Sequence, residues 1–232
     1  MNVLVSIEHR FDRTPDGAMW TQTMVAHSFW TRYLEVLNRV RVLARVRDVP
    51  TVPDDWRQAT GPSVCFAPIP HYLRPRQYLQ RARQVWRAAR HALRPHEAII
   101  LCLGSPIAAM IDPALRSEGR PYGLEVVGDP YDVFAPGSVD HPLRLFFRWW
   151  FPRQMCRQCA GPAAYVTEHT LQRRYPAAPG VLSTSSSSVE PPETAFTPAP
   201  RPARMDQGSQ QATALPANDP TEASVISSWV GQ

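Results

Sequence analysis

From Val3 to Tyr175 short apolar runs alternate with longer segments of helical periodicity. Residues 3–7, 40–46, 64–69, 98–103, 122–127 and 163–166 predict strands, each a brief apolar run bounded by polar or turn residues. Residues 18–37, rich in Met, Trp and Phe, predict a helix. Tyr78, Leu79, Ala82, Val85, Trp86, Ala89 and Leu93 fall at helical spacing and predict another. Further helices are expected after Ser105, from about His141 to Cys159, and in a short segment ending at Tyr175. Strands apolar on both faces and separated by helices imply a mostly parallel sheet covered on both sides. The expected architecture is α/β, a doubly wound Rossmann-like domain over residues 1–182. From Ser183 the composition turns to Ser, Pro, Thr, Ala and Gln with few large apolar side chains. Residues 183–232 are therefore expected to form a disordered tail, because they cannot bury enough surface to offset the entropy of ordering them.

Composition changes this picture little. A 44% hydrophobic content over 232 residues is enough for one sizeable core. All 25 basic residues are arginine, and together with 25 prolines this points to a coding bias, so the net charge of +5 does not argue for a specific nucleic-acid partner. Cys65 and Cys102 lie in apolar strand runs, where a buried thiol is ordinary, which fits a reducing compartment. Cys156-x-x-Cys159 has no second ligand pair nearby, so neither zinc nor redox chemistry is expected. The opening MNVLVSIEHR lacks a signal-peptide pattern, and no apolar stretch reaches the roughly 18 residues of a membrane span. A soluble, cytoplasmic chain is the expectation.

Chemistry should gather where the strands end, because open parallel sheets bind ligands outside their carboxyl ends. The first strand leads into EHRFDRTPDG, expected to be a long loop. Other strand ends deliver Gly104 and Ser105, then Gly128, Asp129, Tyr131 and Asp132, then Thr167, Glu168 and His169. Together these could line one polar cleft. Ser105 and Thr167 could equally cap the helices that follow, and Asp129 a turn. Pro15-Asp16-Gly17, if it enters a helix, would present backbone N–H groups to an anion, although the same tripeptide is an ordinary turn. Neither GxGxxG nor GxxxxGK[ST] occurs, which disfavours dinucleotide and P-loop readings.

Two surfaces carry unusual charge. No acidic residue lies between Asp55 and Glu97, while Arg57, 74, 76, 81, 83, 87, 90 and 94 do, and Arg76, 83, 87, 90 and 94 share one side of the expected helix. HPLRLFFRWWFPRQMCRQC interleaves aromatics with Arg144, Arg148, Arg153 and Arg157, and Pro152 should kink it. A solvated helix face and core packing are the plain readings. Contact with anionic lipid or phosphate is the sharper one.

VLVSIEHRFDRTPDGAMWT, IILCLGSPIA, GLEVVGDPYDVF and above all AAYVTEHTLQRRYP resemble the N-terminal half of a GT-B glycosyltransferase of the large retaining family four. The resemblance spans about residues 1–182. It implies two Rossmann-like domains facing across a cleft, with a nucleotide sugar as substrate, a glycan or lipid acceptor and no cofactor. By that likeness Asp16 and Gly17 would approach the donor phosphates, while Ser105, Asp129, Asp132, Thr167 and Glu168 would face the acceptor. The family's donor domain, with its E-x7-E glutamates, does not follow here, so the likeness implies a truncated product or a partner domain supplied in trans. A non-catalytic scaffold using its arginine faces on membrane or a partner, and a small self-contained hydrolase using Asp129 or Glu168, are the competing readings.

Overall fold

The computed structural model describes residues 1–73, 75–138, 143–159 and 161–185. Arg74, His141 and the tail from position 186 onward lie outside the described residues. In chain order the elements are β1 (Asn2–Arg13), β2 (Met19–Thr21), α1 (His27–Leu34), β3 (Arg39–Asp48), β4 (Arg57–Gln58), β5 (Val64–Pro70) and α2 (Pro75–Ala92). There follow β6 (Ala98–Cys102), α3 (Pro106–Ser117), β7 (Gly123–Val126), α4 (Pro130–Val133), α5 (Arg144–Gln158), β8 (Ala163–Tyr165), α6 (Thr170–Arg174) and β9 (Ser183–Ser185).

The nine strands among the described residues belong to one sheet. Seven of them are parallel, in the order β5-β3-β1-β6-β7-β8-β9. The chain builds outward from β1 to β5, returns across the sheet, and builds outward the other way, which is the Rossmann arrangement with its switch point between β1 and β6. Alternate residues of each strand feed two cores. Leu4, Leu43, Leu101 and Leu124 pack under α2, α3 and α5, whereas Val3, Val5, Val40 and Val42 pack against Trp30 and Tyr33 of α1. Helices thus cover both faces, and the expected doubly wound, mostly parallel α/β fold is the observed one.

Local chemistry explains the helices nearest the strand ends. Ser105 caps α3 by accepting a hydrogen bond from the Ala108 N–H at 2.9 Å, and Pro106 takes a position whose N–H has no intrahelical partner anyway. Ile107, Ala108, Ile111 and Leu115 then form the buried stripe.

Three expectations need correction. The helix expected over 18–37 is instead β2 followed by α1, because Met19 and Trp20 pair antiparallel with Arg13 and Asp12. The loop expected from Glu8 to Gly17 is mostly strand. β1 runs to Arg13, and its charged residues are matched across the ladder by β3: Glu8 with Arg45 at 3.1 Å, Asp12 with Arg47, and Arg13 with Asp48 at 2.6 Å. Consequently Pro15-Asp16-Gly17 enters a strand. Asp16 Oδ1 accepts from Thr14 Oγ1 at 2.5 Å and from the Ala18 N–H at 3.2 Å, and Gly17 turns the chain at a φ of 86°. The helix N-terminus that would have held a donor phosphate there does not exist. Finally, Ser183–Ser185, expected to lie in the tail, pair in parallel with Ala163–Tyr165 as β9.

Candidate functional site at the strand ends

The β7 run Gly123–Val126 stops at a cluster whose purpose lies forty-odd residues further along the chain. Asp129 caps α4 by accepting from the Tyr131 N–H at 2.9 Å. The same oxygen, Oδ1, accepts from the Tyr175 hydroxyl at 2.6 Å, and Oδ2 is bound by Arg174 Nη1. Arg174 Nη1 also reaches Asp132 Oδ1 at 3.0 Å. Arg148 and Arg174 lie over the Tyr131 ring, 3.9 and 4.7 Å from its centroid. The GDPYD and RRYP stretches are therefore two halves of one clamp. It is held from below by Tyr175, which is fully buried and whose carbonyl accepts from Tyr165 Oη at 2.7 Å. Burial and the neighbouring Asp129 push the Tyr175 hydroxyl well above its ordinary pKa, so it acts as a donor and not as an acid.

The other acceptor-side residues divide. Thr167 Oγ1 accepts from the Leu171 N–H at 3.0 Å and bonds Gln172 Oε1 at 3.1 Å, so it starts the helix that carries Arg174. Glu168 is exposed, makes no ion pair among the described residues, and lines an open depression with His169, Gln172 and Arg173. Ser105 is buried as a cap in a separate recess of about 280 Å³, between Tyr78 of α2, Trp150 and Gln158 of α5 and the start of α3. Gln158 is buried there with its Nε2 unpartnered among the described residues. A Cβ at Gly104 would stand 3.6 Å from Pro130 Cγ, so the β6 and β7 ends are neighbours even though Ser105 and Asp129 sit in different surroundings.

At the switch point lies a network the sequence reading missed. Glu8 is 4% exposed and accepts from the Tyr72 hydroxyl at 2.9 Å, while Arg45 donates to the Tyr72 and Glu8 carbonyls at 2.9 and 3.1 Å. Burial pushes the Glu8 carboxyl up, opposed by Arg45, Tyr72 and the Ile107 N–H at the start of α3. His9 bonds Thr21 Oγ1 at 2.9 Å, and its pKa is lowered to about 3 by burial and then by Arg45 and Arg10. The available signal was a set of charges at alternate positions inside apolar runs, Arg41 and Arg45 in VRVLARV. Cys156 and Cys159 are free thiols, both raised in pKa chiefly by burial, Cys159 to about 12, so neither is poised as a thiolate. Among the described residues no group of three His, Cys, Asp or Glu could hold a metal ion, and no helix is long and apolar enough to cross a membrane.

Fold and strand ends together define a Rossmann-like α/β domain with polar groups gathered at the carboxyl edge of its sheet. No protein-family model and no solved structure matches the chain. It is distantly related to Protein CapJ of Staphylococcus aureus, with 22% identity over 152 residues. That match takes in 65% of this chain and 38% of CapJ, so the chain corresponds to well under half of its relative.

Proposed function

We propose that this chain is the acceptor-side, N-terminal half of a GT-B glycosyltransferase, transferring sugar from a nucleotide sugar only when a donor-binding domain completes it. The observation that carries this reading is the clamp between GDPYD and RRYP, which joins two of the stretches that resemble that family at the carboxyl ends of β7 and β8. In this reading Asp129 is a positioning residue: both its oxygens are engaged, so it holds Tyr131 and Arg174 in place. Glu168, exposed on the turn between β8 and α6, is the carboxylate available to orient an acceptor hydroxyl. Positioning and stabilisation of a departing diphosphate each lower barriers by several kcal/mol in enzymes generally, and in this reading those groups belong to the donor-binding half.

The saturation of Asp129 also favours a second reading, a non-catalytic binding protein built on the same fold. Incubation of the purified chain with a panel of nucleotide sugars and lipid or glycan acceptors, followed by mass spectrometry, separates the readings. The expected result is acceptor binding weakened by Glu168→Gln, with no transfer. Transfer by the chain alone would overturn the claim of incompleteness, and failure to bind any acceptor would favour the non-catalytic protein.

A further inference from the structure

We propose that the outer faces of α2 and α5 form a single docking surface for an anionic lipid bilayer. This inference stands apart from the glycosyltransferase reading. Both helices cover the same face of the sheet, flanking α3, and both contribute to one core. What they leave outside is unlike an ordinary solvated helix face. On α2, Leu79 is 72% exposed and Trp86 is 48% exposed. At about 100° per residue, Leu79, Arg83, Trp86 and Arg90 form one stripe, roughly a third of a turn from the buried Val85 and Ala89. On α5, Leu145 and Trp149 are 69% and 52% exposed, with Phe146 and Trp150 beside them. Such a run of exposed large apolar groups is a contact surface waiting for a partner.

Charge decides which partner. Neither helix contains a single carboxylate, while Arg81, Arg83, Arg87 and Arg90 are exposed on α2 and Arg153 and Arg157 on α5. Glu118 at the end of α3 reaches Arg90 at 3.4 Å, and among the described residues no carboxylate pairs with the other five. A second copy of the chain would set arginine against arginine. A nucleic acid would satisfy the guanidiniums but leave Leu79 and Leu145 in water. An anionic bilayer satisfies both, taking guanidiniums at its phosphates and aromatic and aliphatic groups at the acyl boundary. The geometry is already suited to that depth. Arg90 and Arg153 lie over the rings of Trp86 and Trp149, at 5.3 and 4.4 Å, so each cation and its apolar neighbour form one amphipathic unit.

The test uses the full chain with vesicles of phosphatidylcholine, with and without phosphatidylglycerol. Binding is expected only to the anionic vesicles, and it should weaken steeply with salt. Arg83→Gln/Arg87→Gln/Arg90→Gln should lower affinity by roughly 100-fold, at the usual contribution of one basic residue near an anionic surface. Brominated acyl chains should quench tryptophan emission in the wild type and markedly less in Trp149→Leu/Trp150→Leu. All five positions are exposed, and unchanged thermal unfolding of both variants verifies that the fold is intact. Equal binding to neutral vesicles, unchanged affinity of the arginine variant, or absence of quenching would overturn the proposal. So would a stable dimer that hides these tryptophans, or tighter binding to RNA than to the anionic vesicles.

Discussion

Asp129 holds three donors with two oxygens, so the loss of its charge should be felt mainly as stability. Asp129→Asn keeps the size but removes one of the two carboxylates that hold Arg174, and about 1–3 kcal/mol of unfolding free energy should go with it in urea titrations. Glu168→Gln, at an exposed side chain, should leave the same titration unchanged within about 0.5 kcal/mol. Gly161→Ala should cost about 1–3 kcal/mol, because a Cβ there would lie 2.5 Å from the Tyr122 carbonyl oxygen, and backbone cannot move aside as a side chain can. His9 gives the pH dependence a sign. Unfolded, it takes up a proton near 6.5, whereas folded it does so only near 3. Between those values the unfolded chain binds more protons, so stability falls on acidification, with a slope of up to about 1.4 kcal/mol per pH unit. Glu8, raised by burial, works the other way: its contribution is full at acid pH and declines as pH rises past 4.5. His9→Gln should therefore flatten the loss of stability measured between neutral pH and about pH 5.

Elements whose partners are close in the pattern were legible in the sequence, and those defined by distant partners were not. The runs at 40–46, 64–69, 98–103, 122–127 and 163–166 correspond to β3, β5, β6, β7 and β8, because a strand buried on both faces needs only a continuous apolar run to announce itself. The helix over 78–93 and the one after Ser105 were readable from their stripes for a similar reason. Residues 8–13 read as a loop because their charges were weighed alone, when each acid faces an arginine of β3. Residues 18–37 read as one helix because local periodicity cannot see that Trp20 pairs with both Asp12 and Gln58. The candidate site followed the same rule. Asp129 and Asp132 were legible from GDPYD, but Arg174 and Tyr175 are joined to them only by the fold. β9 offers a direct check on the end of the domain. A chain ending at 185 should unfold with the full-length midpoint, and one ending at 182 should unfold about 2–4 °C lower, the shift that roughly 1 kcal/mol makes in a domain of this size.

The described residues form one sheet with polar groups gathered along one edge and the arginine helices over one face. β1 sits at the centre of that sheet, bonded to β3 along one side and, from Val3 to Ser6, to β6 along the other. Val3, Leu4 and Val5 are almost wholly buried, so their amides reach solvent only when strands on both sides separate. In deuterium oxide these amides should be among the last to exchange, at a rate set by unfolding of the entire domain, while Thr184 of exposed β9 exchanges by local fraying. That contrast supplies a gauge. Any acceptor, nucleotide sugar or vesicle that holds the folded state will slow the centre of β1 increasingly as its concentration exceeds its Kd, and will do so whether or not a bond is ever transferred. Binding itself becomes a number read from three amides.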